Sequence, residues 1–164
     1  MTKIYIDGDG PIQDFAKWMV DNNIPLGYDR KDTEAEFHLR INEIFLESPA
    51  AKYLSFFQML YKTFDDVKVL TAVGDHWPNA GMKHVASNNK VEALRRLGFS
   101  PSDIIVVDSG SDKIQYAVND DKSVNILYDD KWSTIEKWEN AGGLGFFVPE
   151  CHIRFKEAGH ADRT

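Results

Sequence analysis

Five short runs of apolar, mostly β-branched residues recur along the chain, and stretches with helical periodicity separate them. Each run has the length of a buried strand, and the stretches between them carry apolar residues at the spacing of a helix face. Strands that alternate with helices predict β-α-β units and a parallel sheet. The predicted fold class is therefore α/β, a Rossmann-like parallel sheet of about five strands flanked by helices. The predicted strands are residues 3–6, 67–71, 104–107, 124–128 and 145–148.

The interval between the first two predicted strands is too long for a single crossover helix. Its apolar stripes predict three helices, over residues 12–22, 34–46 and 49–64, the last with Ser48 as N-cap and Pro49 at its first position. Before the third strand, Ser87 or Asn88 is the predicted cap of another helix. The predicted domains are an α/β core, a small helical cap inserted after the first strand, and a polar C-terminal tail. They cover residues 1–11 with 65–148, residues 12–64, and residues 149–164, respectively.

Composition narrows the classes of partner. The chain has 164 residues, of which 43% are hydrophobic and 27% charged, and its formal net charge of −7 argues against a surface that coats a nucleic-acid polymer. Its single cysteine cannot form an internal disulfide, and no stretch reaches the ~20 apolar residues that span a bilayer. We therefore expect a soluble, cytoplasmic protein with no nucleic-acid or membrane partner, and we leave open whether it is a monomer or a homodimer.

Polar residues with reactive side chains follow four of the predicted strands. Because ligands collect beyond the carboxyl ends of parallel strands, these residues are expected to meet in one crevice. Neighbouring carboxylates suit Mg²⁺, while a hydroxyl and an ammonium group suit a phosphoryl group. The pattern indicates a metal-assisted phosphoryl site, with Mg²⁺ as the expected cofactor. The residues are Asp7 and Asp9, Thr71, Lys113, and Asp129 with Asp130.

These residues form four ordered motifs. In that order the chain resembles the haloacid dehalogenase superfamily of phosphohydrolases, whose motifs are Asp-x-Asp, a Thr or Ser, a Lys, and an acidic pair. A finer pattern is similar to the 5′(3′)-deoxyribonucleotidase branch, including its phage-borne members. The finer pattern consists of Val69-Leu70-Thr71-Ala72, of Lys113 followed by Tyr116-Ala117, and of Asn125 to Asp130 running on to Trp138 and Ala141 to Gly145.

The resemblance implies a two-step phosphatase. By it, Asp7 attacks phosphorus to form an aspartyl-phosphate, and Asp9 acts as general acid and then as general base. By the same resemblance, Mg²⁺ is held by Asp7, the backbone carbonyl of Asp9, and Asp129, with Asp130 as an auxiliary ligand. For Asp130 the residues leave a second interpretation open, the cap of the following helix.

The resemblance also implies how phosphate is bound. Thr71 and the amide of Ala72 would bind phosphoryl oxygens, and Lys113 would offset the negative charge. Placement after the third strand favours Lys113, although Lys83 or Lys90 could reach the crevice instead.

The substrate is expected to be a small phosphomonoester, a (deoxy)ribonucleoside 5′-monophosphate by the resemblance. Two alternatives remain: a sugar phosphate or similar ester, or a non-catalytic phosphate-binding module. Gly8 and Pro11, which depart from the family pattern, motivate the last. The candidate pocket residues for a base or sugar are Phe15, Trp18, Phe45, His76 and Trp77.

Overall fold

The structure, a computed structural model, describes residues 1–24 and 31–149. Each of its strands overlaps a predicted one, and their ends differ from the predicted ends by at most two residues. Of the predicted tail, residues 150–164 lie outside the described part of the chain. The strands are β1 (Ile4–Ile6), β2 (Val67–Ala72), β3 (Ile104–Val107), β4 (Ile126–Asp129) and β5 (Leu144–Phe147).

The strands form one parallel sheet in the order β3-β2-β1-β4-β5. Ile4 of the central strand β1 is aligned with Val67 on one side and with Ile126 on the other. The chain adds β2 and β3 on one side of β1 and then crosses over to add β4 and β5 on the other. This reversal places a topological switch point between β1 and β4. The predicted α/β class with a parallel sheet flanked by helices is confirmed.

Helices connect the strands. The two short 3₁₀ helices Pro101–Asp103 and Gly110–Tyr116 precede and follow β3. The α-helices are α1 (Phe15–Asp21), α2 (Lys31–Leu39), α3 (Leu54–Thr63), α4 (Ala80–Arg96) and α5 (Trp132–Asn140).

The start predicted for α3 is wrong. The helix begins at Leu54 instead of Pro49, because the preceding residues are engaged elsewhere. The Ser48 hydroxyl donates to the Ile44 carbonyl at 2.6 Å, and the Pro49 carbonyl accepts from the Asp14 N–H at 2.7 Å. Ser48 is thus tied to the turn that precedes it, and Pro49 is tied to the N-cap of α1, instead of starting a new helix.

The cap predicted for α4 is also wrong. The N-cap is Asn79, whose side chain accepts from the Met82 N–H at 2.9 Å. Ser87 lies inside the helix and donates to the Lys83 carbonyl at 2.9 Å. The helix is therefore longer than predicted, and it carries Lys83 on its additional first turns and Lys90 just beyond its midpoint.

The segment between β1 and β2 packs on two different surfaces. Phe57 and Leu60 of α3 share an apolar cluster with Ile6 and Val69 of the sheet. The earlier part of the segment, which includes α1 and α2, contributes to a second cluster with Val73 and with residues of α4. The helix α3 is thus part of the layer that covers the sheet, and a separate cap over residues 12–64 stays a prediction.

No helix within residues 1–24 and 31–149 is long and apolar enough to cross a membrane.

Candidate active site

The switch point brings the carboxyl ends of β1 and β4 together. Asp7 directly follows β1, and its N–H donates to the Tyr128 carbonyl at 2.8 Å, which extends the pairing of the two strands. Asp129 is the last residue of β4, and both aspartates are buried. The topology therefore places two carboxylates where an open parallel sheet binds its ligands.

Lys113 joins these two carboxylates. It lies on the 3₁₀ helix Gly110–Tyr116, whose start is fixed by a capping box between Ser109 and Asp112. Its side chain is only 4% exposed, and its Nζ lies 2.9 Å from Asp7 Oδ1 and 2.7 Å from Asp129 Oδ2. Burial by itself would lower the pKa of Lys113, but Asp129 and Asp7 outweigh that effect and raise it. The ammonium group is therefore charged and fixed beside Asp7.

The other predicted lysines have different positions. Lys83 lies at the surface, 3.1 Å from Asp75 Oδ1 and 2.8 Å from Asp108 Oδ1. Lys90 does enter the crevice, but it contacts Asp9 instead of Asp7. The crevice thus receives two lysines from different elements, one for each aspartate of the Asp7-Gly8-Asp9 motif.

Asp130 completes a cluster of three carboxylates. One oxygen from each of Asp7, Asp129 and Asp130 lies within 4.8 Å of the other two. The interpretation of Asp130 as a helix cap is wrong, because the N-cap of α5 is Lys131, whose N–H donates to Asp129 Oδ1 at 2.9 Å. Asp130 is thus placed for a ligand role beside Asp7 and Asp129.

The cluster holds more negative charge than Lys113 neutralises. Burial raises the pKa of Asp7 and the charge of Asp129 raises it further, while Lys113 opposes both. The pKa of Asp130 lies well above its ordinary value because of burial and then because of Asp7 and Asp129. A divalent cation relieves this kind of repulsion, and oxygen ligands at this spacing suit Mg²⁺.

The carboxylate of Asp9 has a partner of its own. Its Oδ2 accepts a hydrogen bond from Lys90 Nζ, and the Lys90 side chain is only 1% exposed. Burial raises the pKa of Asp9, and Lys90 opposes that shift. In the sequence, Lys90 lies on the same helix face as Ala86, Ala93 and Leu94, and a lysine on an apolar stripe was the available signal for a buried role.

Two glycines shape the loop that presents Asp9. Gly10 has a φ of +110°, and a Cβ there would lie 2.4 Å from Asp130 Cγ. A Cβ on Gly8 would lie 3.0 Å from Thr71 Oγ1. Glycine at both positions lets the loop lie close to the Thr71 and Asp130 side chains.

Thr71 and Ala72 end β2 beside this loop. Thr71 is fully buried, and its Oγ1 has no hydrogen-bond partner among the described residues. An unsatisfied buried hydroxyl typically costs about 1–3 kcal/mol, and a bound phosphoryl oxygen would remove that cost. The Ala72 carbonyl accepts from Lys90 Nζ at 2.8 Å, while the role of the Ala72 amide stays a prediction.

The predicted pocket residues lie close together, but most of them pack in an apolar cluster of the core. Trp18, Phe45 and Trp77 are buried members of one apolar cluster, against which Phe15 packs. His76 contacts Trp77, with ring centroids 4.6 Å apart. Phe45 also reaches the crevice, because Lys90 Nζ lies 4.7 Å from the centroid of its ring. A role for these rings in binding a base or sugar stays a prediction.

Comparison with known proteins identifies no family for this chain. No protein-family model matches the chain, and no curated protein matches its sequence. The residues of the crevice themselves are therefore the basis for any proposal of function.

Proposed function

We propose that the chain is a Mg²⁺-dependent phosphomonoester hydrolase that works through an aspartyl-phosphate, as its resemblance to the haloacid dehalogenase superfamily implies. One observation carries the proposal: Lys113 Nζ lies 2.9 Å from Asp7 and 2.7 Å from Asp129 at the switch point of the sheet. This contact unites three of the four motifs, which are far apart in the sequence. The remaining motif, Thr71, supplies a hydroxyl with no hydrogen-bond partner among the described residues, and it lies beside the loop that contains Gly8 and Asp9.

The donor set fits Mg²⁺. Asp7, Asp129 and Asp130 offer oxygen ligands within 4.8 Å of one another. Burial first, and then the negative charge of the neighbouring carboxylates, raises the pKa values of Asp7 and Asp130, and a cation would neutralise that charge. The resemblance adds the backbone carbonyl of Asp9. When bound, Mg²⁺ would orient the phosphate and withdraw charge from its oxygens.

In the first step, an Asp7 carboxylate oxygen forms a bond to phosphorus while the bond from phosphorus to the ester oxygen breaks. Asp9 gives its proton to the departing oxygen, so that an alcohol leaves. Lys113 holds the Asp7 carboxylate in place, and the Thr71 hydroxyl donates to a phosphoryl oxygen. The products of this step are the alcohol and phosphorylated Asp7.

In the second step, water attacks phosphorus and Asp9 takes the proton that the water loses. The bond between phosphorus and the Asp7 oxygen breaks, which releases inorganic phosphate and restores the Asp7 carboxylate. The raised pKa of Asp9 supports this exchange, since the group can hold a proton above the ordinary range for a carboxyl and then give it up.

For the substrate, we propose a nucleoside 5′-monophosphate, with deoxyribonucleotides preferred by the resemblance. The aromatic cluster that contains Phe45 and Trp77 lies next to the crevice and supports a leaving group that carries an aromatic base. Because Trp18 and Trp77 are buried, a sugar phosphate remains the second candidate.

The test is a panel of phosphomonoesters assayed with Mg²⁺ and with a chelator. We expect turnover only with Mg²⁺, and a higher kcat/KM for nucleoside 5′-monophosphates than for sugar phosphates. Equal or better turnover of sugar phosphates would leave a general phosphatase. Absence of turnover across the panel, with phosphate still bound, would favour the non-catalytic phosphate-binding module.

A further inference from the structure

Lys90 has three kinds of contact, and each belongs to a different part of the crevice. Its Nζ donates to Asp9 Oδ2, donates to the Ala72 carbonyl at 2.8 Å, and lies 4.7 Å from the centroid of the Phe45 ring. An ammonium group has three N–H donors, so two hydrogen bonds and a cation–π contact account for all of them. All three N–H groups of Lys90 therefore have partners within the protein, and the side chain is only 1% exposed.

A purely structural role explains this lysine poorly. A buried ion pair is often no more stabilising than a well-packed apolar side chain of similar volume. At position 90, the neighbouring helix residues Ala86, Ala93 and Leu94 are all buried, so an apolar residue would suit the face. The charge instead orients a specific partner, the carboxylate of Asp9.

The hydrogen bond also distinguishes the two oxygens of Asp9. Because Oδ2 accepts from Lys90, Oδ1 is the oxygen left to carry a proton. The Ala72 carbonyl fixes the ammonium group at the end of β2, beside Thr71. Asp9 is thereby held in one orientation at the side of the crevice where the phosphate-binding hydroxyl lies.

We propose that Lys90 is a positioning residue, which holds Asp9 so that its Oδ1 faces the leaving oxygen of the ester. This inference rests on the proposed function. In the first step, the Oδ1 proton passes to the ester oxygen as its bond to phosphorus breaks, and in the second step Oδ1 takes a proton from the attacking water. Lys90 exchanges no proton in either step and acts only through Asp9.

The test compares two esters that differ in their need for a proton. Phenyl phosphate has a poor leaving group that must be protonated, whereas 2,4-dinitrophenyl phosphate departs without help. General acid catalysis typically contributes about 10²–10⁴-fold. Lys90→Met should therefore lower kcat/KM for phenyl phosphate by about 10-fold or more while nearly sparing kcat/KM for the dinitrophenyl ester, because kcat/KM includes no step after release of the alcohol and so leaves out the second step, which both esters share. Asp9→Asn should show the same selectivity, and Lys90→Met should add little loss to it in the double variant.

Lys83→Met is the matched control, since Lys83 lies on the same helix and also contacts two aspartates, but at the surface. It should leave both rates unchanged. If Lys90→Met does not fold, Lys90→Gln, which keeps a donor but not the charge, should show a smaller loss with the same selectivity.

Equal losses for both esters, or additive losses in the double variant, would overturn the role of Lys90 alone. If the wild-type protein with Mg²⁺ hydrolysed neither ester, the proposed function would fail, and this inference with it.

Discussion

Replacing Lys113 by Met should destabilise the metal-free protein strongly, because it leaves two buried carboxylates without their shared partner. Asp7, Asp129 and Lys113 are all buried, and the ammonium lies 2.9 and 2.7 Å from the two carboxylates. Breaking a buried ion pair by removing one partner typically costs about 3–5 kcal/mol. For a chain of this size each kcal/mol shifts the melting temperature by about 2–4 °C, so the expected fall is roughly 6–20 °C.

The assay is thermal unfolding at neutral pH in the presence of a chelator, with Lys83→Met as the control. Both lysines contact two aspartates, but Lys83 does so in solvent, and its replacement should change the melting temperature little. Added Mg²⁺ should recover part of the loss in Lys113→Met, because the cation takes over charge neutralisation. Similar melting temperatures for the two variants would refute the assignment of Lys113 as the central counter-charge.

Three further predictions concern the loop and the cluster. Gly10→Ala should lower stability more than Gly98→Ala. Both glycines have a positive φ, which costs about 1–3 kcal/mol in another residue, but only at Gly10 would the new Cβ also lie 2.4 Å from Asp130 Cγ. Equal melting temperatures for the two variants would contradict this. Asp130→Asn should stabilise the metal-free protein at neutral pH, because the folded-state pKa of Asp130 is raised. The gain should begin to shrink as the pH falls below that raised pKa and should vanish near the ordinary pKa of the unfolded state, and a gain independent of pH would contradict this. By calorimetric titration, Asp129→Ala should weaken Mg²⁺ binding more than Asp130→Ala, and the reverse order would reassign the ligands.

The strands and the sheet class could be predicted because their signals are local. The composition of the run Ile104–Val107 alone predicts a strand, and alternation with helical stretches implies a parallel arrangement. The first residues of the helices were harder to predict, since tertiary contacts decide where a helix starts. Ser48 precedes a proline and has the form of a cap, yet its hydroxyl donates to Ile44 within the preceding turn.

The candidate site could likewise be predicted only in part. Asp7 and Asp129 could be placed together because the carboxyl ends of neighbouring parallel strands share an edge. Which lysine contacts which aspartate could not be predicted, because a lysine can reach a crevice from a helix or from a loop. Lys90 lies 81 positions from Asp9 in the chain, and only the packing of α4 against the sheet brings them into contact.

Trapping the phosphorylated enzyme would test whether phosphate is transferred to Asp7. The wild-type protein would be mixed with Mg²⁺ and a rapidly cleaved aryl phosphate, quenched in acid within one turnover, and digested with trypsin. Mass spectrometry should then find one phosphoryl group on the peptide of residues 4–17, assigned by fragmentation to Asp7 and absent from Asp7→Asn. A phosphoryl group on another residue, or undiminished turnover by Asp7→Asn, would show that Asp7 is not the nucleophile.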